Sequence, residues 1–325
     1  MSDIFALAQQ NLLTPMILCF ALGLFAALAR SELTIPEAMA KAMSIYLLFS
    51  IGFKGGVAVA DHGLDGTLLA ALAGGVVLSL SFPLIAFALL RALTRMSALD
   101  AAAVAGHYGS ISIVTFVTAT SVLAEQGIAS EGYMVAVAAA MEAPAIVSAL
   151  WLAARSGTGA RMDARLWREI LLNGSIVLLI GAFVIGLATG APGMKRIESF
   201  IVSPFQGVLC LFLLDMGLVA GRGLQKVRGT LGLGALIFGV TMPVIGATLG
   251  LGMALLLGLS SGGVALMMTL AASSSYIAVP AAMRVALPEA NPSIYLTLSL
   301  GVTFPFNLII GIPSYVSVAL AVTGG

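Results

Sequence analysis

The chain has 325 residues, of which 60% are hydrophobic and only 9% charged, and its formal net charge is +1. A soluble domain carries about 25% charged residues, so the composition excludes a water-soluble globular protein. The balanced charge favours neither nucleic acid nor an anionic membrane surface as partner. Cys19 and Cys210 fall in apolar stretches and no Cys/His spacing suggests zinc, so both read as small core residues.

Crossing the hydrocarbon takes about 20 apolar residues. In chain order ten segments qualify, at roughly 11–29, 38–60, 66–92, 98–124, 131–154, 169–190, 200–221, 229–258, 262–287 and 293–322. The first is too long for a signal h-region and has no basic n-region, so it is expected to be retained. Turn formers and charges separate the rest, among them Asp61-His62-Gly63, Glu125-Gln126-Gly127, Ala191-Pro192-Gly193 and Pro288-Glu289-Ala290-Asn291-Pro292. Twelve of the 15 Lys and Arg residues follow the odd-numbered spans; Lys195 and Arg196 lie on the other side and Lys54 inside a span. That asymmetry puts the Arg-rich segment 155–168 in the cytoplasm and both termini outside.

The same segment divides the chain into residues 1–154, a cytoplasmic linker 155–168, and residues 169–325. Five spans in each half force the second half into the membrane upside down, so the expected fold is all-α and polytopic, with two inverted five-helix repeats. The repeat is visible in pairs. The fourth span is broken by Gly106-His107-Tyr108-Gly109-Ser110-Ile111-Ser112, and the ninth by Ser273-Ser274-Ser275-Tyr276-Ile277-Ala278-Val279-Pro280. The fifth carries Glu142-Ala143-Pro144, and the tenth Thr303-Phe304-Pro305-Phe306-Asn307.

Polar backbone at membrane depth is tolerated only where it lines a cavity inside the protein. Paired breaks in corresponding spans of two halves point to a secondary transporter with a midplane site. A broken helix exposes unpaired N–H groups at the positive end of its dipole, which bind an anion without a basic side chain. Gly109, Ser110, Ile111 and Ser112, with Ser273, Ser274, Ser275 and Tyr276, are therefore the candidate anion site, with room for a small oxyanion. Glu142 at a helix centre costs about 2.5–3.5 kcal/mol unless a cation sits beside it. Thr115, Thr303 and Asn307 offer further oxygens for such a metal site. For Lys54 the choices are an ion pair with Asp215 or snorkelling to the outer surface. His107 reads as a satisfied interior histidine, and Gly127 and Gly262-Gly263 read as hinges.

The strings Gly106-His107-Tyr108-Gly109-Ser110, Met141-Glu142-Ala143-Pro144-Ala145, Leu213-Leu214-Asp215-Met216-Gly217-Leu218, Tyr276-Ile277-Ala278-Val279-Pro280-Ala281-Ala282, Leu287-Pro288-Glu289-Ala290-Asn291-Pro292 and Gly301-Val302-Thr303-Phe304-Pro305-Phe306-Asn307 resemble the SbtA-type sodium-dependent bicarbonate transporter family over essentially the whole chain. The resemblance implies sodium-coupled bicarbonate uptake through the inner membrane of a bacterium, with the anion at the crossing of broken helices four and nine. It also implies a homotrimer, a PII-like regulatory partner on the cytoplasmic face, and Glu142 and Asp215 as members of the sodium site. Against it stand a sodium-coupled carrier of another small anion such as a short carboxylate, and an anion channel, which needs no coupling carboxylate. No catalytic constellation supports a membrane enzyme.

Overall fold

The computed structural model describes residues 14–62, 66–155, 168, 172, 174–226, 231–276 and 278–324. Most of the expected linker 155–168, and Ile277 inside the second break, lie outside the described residues. Among the described residues all regular structure is helical: α1 Pro15–Leu28, α2 Glu37–His62, α3 Gly66–Leu93, α4 Ala98–Gly109, α5 Ile113–Glu125, α6 Met134–Ala140, α7 Pro144–Arg155, α8 Gly174–Ile201, α9 Phe205–Lys226, α10 Leu233–Leu257, α11 Ser261–Ala272, α12 Ala278–Ala286 and α13 Pro292–Thr323. Eight stretches are long and apolar enough to cross a membrane, two of them made of the broken pairs α4–α5 and α6–α7, while α1 and α11 are shorter apolar helices. The chain is an all-α, multi-pass membrane protein.

Burial ranks these helices by position. The best window of the α4–α5 stretch is entirely buried, whereas that of α8 is 22% buried. The most polar backbone of the molecule thus occupies its centre, and the most uniformly apolar helices form its rim. Around the rim α1 packs along α9 and α2 along α8. Both crossings are close because glycines face backbone: a β-carbon at Gly23 would overlap the Leu214 carbonyl, and one at Gly56 the Phe183 carbonyl. Small residues that let backbones approach are the usual means of packing helices where lipid competes equally for apolar side chains.

Prolines shape two of these helices, and at the first the structure departs from the sequence expectation. Span six was expected to end near residue 190, and Gly190 does turn the chain there with φ 55, but Pro192 opens a further helical stretch that reaches Ile201. A proline in a first turn loses no hydrogen bond, so it starts a helix as readily as it ends one. In α13, Pro305 does not break the helix. It sits between two π-helical stretches, Thr297–Thr303 and Asn307–Gly311, the widened geometry that accommodates a missing N–H. Cys19 and Cys210 are partly exposed on α1 and α9 rather than in the core.

Candidate functional site

The two broken spans are built alike. α4 and α11 are each 12 residues long, and each is capped by a serine hydroxyl that accepts from the amide three residues on, Ser97 from Asp100 and Ser260 from Gly263. Each ends in an extended serine, Ser110 (φ −90, ψ 149) and Ser273 (φ −82, ψ 168). Carboxylates then tie the capped ends to the opposite half. Asp100 accepts from the Asn291 amide at 2.9 Å, and Glu131 from the Ser260 amide at 2.7 Å and its hydroxyl at 3.0 Å.

The breaks meet backbone to backbone. The Ser275 amide donates to the carbonyls of His107 at 2.8 Å and Ser110 at 3.2 Å, which satisfies carbonyls left open at the end of α4. The Ser112 amide donates to the Ser273 hydroxyl at 2.9 Å, and that hydroxyl donates to the Leu270 carbonyl at 2.8 Å. His107 closes the link, with Nδ1 2.6 Å from the Ser275 carbonyl. A carbonyl only accepts, so Nδ1 carries the proton and the fully buried Nε2 is left without a partner.

Of the expected anion-site donors, the amides of Ser112 and Ser275 are therefore engaged in joining the breaks. What remains is the start of α5. Its first intrahelical bond is Phe116 N–H to the Ser112 carbonyl, and the Thr115 amide is capped by the Ser112 hydroxyl. By position the Ile113 and Val114 amides have no intrahelical acceptor. The Ser110 hydroxyl beside them is buried with no partner, and Ile111 is buried. Ser274 donates to Ser299 of α13 at 2.6 Å, and Tyr276 opens onto a cavity described below.

Gly109 brings the first break against the fifth span. A β-carbon there would stand 2.5 Å from the Pro83 ring and 2.8 Å from the Ala145 methyl, so the end of α4 can lie beside the start of α7 only with glycine. The fifth span opens between α6 and α7, where Pro144 starts a new helix. Ser79 of α3 bridges the opening: its hydroxyl donates to the Met141 carbonyl at 2.7 Å and accepts from the Ala145 amide at 3.1 Å. Glu142 sits inside this opening, 4% exposed, and its Oε2 has no hydrogen-bond partner. The hydroxyl of Thr115 on α5 is likewise buried and unpartnered.

Thr303 and Asn307 use their polar atoms between helices. Thr303 donates to the Gly239 carbonyl at 2.7 Å, so its 2.6 Å contact with Tyr108 is a bond that the tyrosine donates. Asn307 donates to the Ala272 carbonyl at 2.8 Å, capping α11, and accepts from Tyr315 at 2.9 Å. Each oxygen keeps one lone pair. Asp215 is buried on α9. Sequence reasoning missed Ser79, Ser299 and the linking role of His107. Only a polar residue in an apolar span marked the two serines, and such residues are common.

Two cavities flank the crossing at different heights along α2. The larger, about 700 Å³, is lined by Lys41 and Ser44 of α2, Met216 and Arg222 of α9, Thr297 of α13, and Tyr276 and Pro280 of the second break. The other, about 440 Å³, is lined by Ile51, Lys54 and Ala58 of α2, Phe116 and Thr120 of α5, Glu131, and Phe205 and Gln206 of α9. Ten residues along a helix span about 15 Å, which is the separation of Ser44 from Lys54, so one vestibule lies on either side of the joined breaks. This arrangement suits a solute that passes through the crossing, and it offers oxygen atoms and N–H groups rather than a nucleophile or base.

A search of the curated proteins finds no match. Residues 15–320, nearly the whole chain, fit the model of the Na+-dependent bicarbonate transporter superfamily, and the chain belongs to that family of transporters.

Proposed function

We propose that the protein is a sodium-coupled bicarbonate symporter that works by alternating access, with ten spans in two inverted repeats (1–154 and 169–325) joined by the cytoplasmic linker 155–168. The observation that carries this reading is the joining of two broken spans at one depth with a vestibule on each side. The swapped pairing of α1 with α9 and α2 with α8, and the matched caps and lengths of α4 and α11, support the repeat. Lys41 and Arg222 in its lining support reading the 700 Å³ vestibule as the cytoplasmic one, and in this reading both termini lie outside, in a bacterial inner membrane.

In this reading bicarbonate sits against the start of α5. The Ser110 hydroxyl and the Ile113 and Val114 amides donate, Ile111 and Ser112 shape the wall, and Ser273 to Tyr276 close the other side. Sodium is the co-substrate. Oε2 of Glu142 and the hydroxyl of Thr115 fit it because they are buried with no other partner and a hard cation prefers oxygen ligands. Asp215 and the remaining lone pairs of Thr303 and Asn307 complete the proposed ligand set. Sodium beside the ionised Glu142 cancels that charge and so lowers the cost of admitting an anion to the moving unit α4–α5 with α11–α12, which is why each ion favours the other.

The outward apolar faces of rim helices such as α8 provide contact area for a homotrimer, and the basic cytoplasmic side suits a PII-like regulatory partner. The functional reading is tested by radiolabelled bicarbonate uptake into proteoliposomes under an inward sodium gradient. Uptake with sodium and none with potassium supports it; equal uptake with both overturns it.

A further inference from the structure

Lys54 is a cation placed well inside α2 that no part of the account above uses. Its ammonium stands 4.2 Å from the centre of the Phe205 ring, in the 440 Å³ vestibule. Among the described residues no hydrogen bond or ion pair reaches it. The ion pair with Asp215 weighed from the sequence is out of reach, because Asp215 lies ten residues along α9 from Phe205, about 15 Å. Glu131, the carboxylate of the same cavity, has both oxygens committed to Ser260 at the start of α11. Among the described residues that line the vestibule, Lys54 is therefore a cation with no paired carboxylate, while the carboxylate of Glu131 is turned to the start of α11.

We infer that Lys54 forms an anion-capture site in the outer vestibule, where bicarbonate is held before it enters the crossing. The inference rests on the symport reading above. A charge between low-dielectric walls focuses the field and raises the local concentration of the opposite ion. The Phe205 face steadies the ammonium when no anion is present, and an ammonium carries three donors, enough to turn toward an oxyanion without leaving the ring. Phe116 and Thr120 of α5 line the same cavity, and Phe116 is one turn from Ser112, so the captured ion has about 6 Å of helix to travel to the start of α5.

The test compares wild type, Lys54→Met and Lys54→Arg in oriented proteoliposomes, with bicarbonate offered from one face at a time. Lys54→Met should raise the KM for bicarbonate from the outer face about 3- to 10-fold, with the outer-face kcat and the sodium dependence unchanged; the transport equilibrium does not depend on the protein, so kcat/KM from the inner face must fall by the same factor. Lys54→Arg should stay near wild type, and added choline chloride should raise the wild-type KM but not that of Lys54→Met. An unchanged outer KM, or a loss of kcat with the outer KM unchanged, overturns the proposal. A second measurement does not depend on transport: an amine-reactive acid added outside labels Lys54, and bicarbonate should slow that labelling at least 2-fold, about the smallest clear protection, in wild-type protein. Labelling at the same rate with and without bicarbonate also overturns it. If wild type shows no sodium-driven uptake, the symport reading fails by itself, and the labelling result still decides the role of Lys54.

Discussion

Replacing Glu142 with Gln keeps the shape of a side chain that is 4% exposed and removes the charge of an oxygen that no protein group partners. Two unit charges 4 Å apart interact by about 4 kcal/mol at an effective dielectric constant of 20. Each 1.4 kcal/mol is a factor of 10 in affinity, so losing the charge is worth roughly 2 to 3 decades, less what the amide oxygen recovers as a ligand. The expected result is an apparent sodium affinity at least about 100-fold weaker. The protein should still insert and elute as one species, because the opening around Glu142 is held by Ser79 and not by the carboxylate. The assay is the sodium dependence of bicarbonate uptake by purified variant in proteoliposomes. A sodium affinity within about threefold of wild type, under 0.7 kcal/mol, would refute the reasoning.

The remaining predictions concern the joined breaks. Ser110→Ala removes an unpartnered donor, and should weaken bicarbonate binding by about 1.5–3 kcal/mol if the bond is made to the anion; isothermal titration at saturating sodium measures it, and an unchanged Kd places the anion elsewhere. Ser79→Ala should lower stability by about 1–3 kcal/mol, because it strands the buried Met141 carbonyl and Ala145 amide; thermal unfolding in detergent gives the sign, and wild-type stability contradicts the bridging role. Gly109→Val, with its β-carbon 2.5 Å from the Pro83 ring, should push α4 off α7 and abolish uptake, whereas normal uptake would show that the two helices do not need this contact.

The breaks themselves were plain in the sequence, since a cluster of serine and glycine inside 25 apolar residues has no cheap explanation in lipid. Glu142 was plain for the same reason. What joins them was not. His107 was expected to be satisfied, and one nitrogen is, through a carbonyl of the other half, but Nε2 is not. Thr303 and Asn307 stood out as oxygens at the right depth, yet their bonds to Gly239, Tyr108, Ala272 and Tyr315 depend on which helices face each other, and spans that are apolar all round carry no stripe to reveal that. The pair Gly262-Gly263 read as a hinge. In the structure it is where residues 129–131 close on α11, with Glu131 against Gly263 and the Ala129 carbonyl against Gly262.

The coupling of the two ions at the joined breaks is tested most directly by titrating bicarbonate into purified protein at a series of sodium concentrations, and sodium at a series of bicarbonate concentrations. If Glu142 and Thr115 hold sodium beside an anion at the start of α5, each ion strengthens the other by the same factor, as linkage requires, and potassium does not replace sodium. A bicarbonate affinity that is the same with and without sodium would contradict the account.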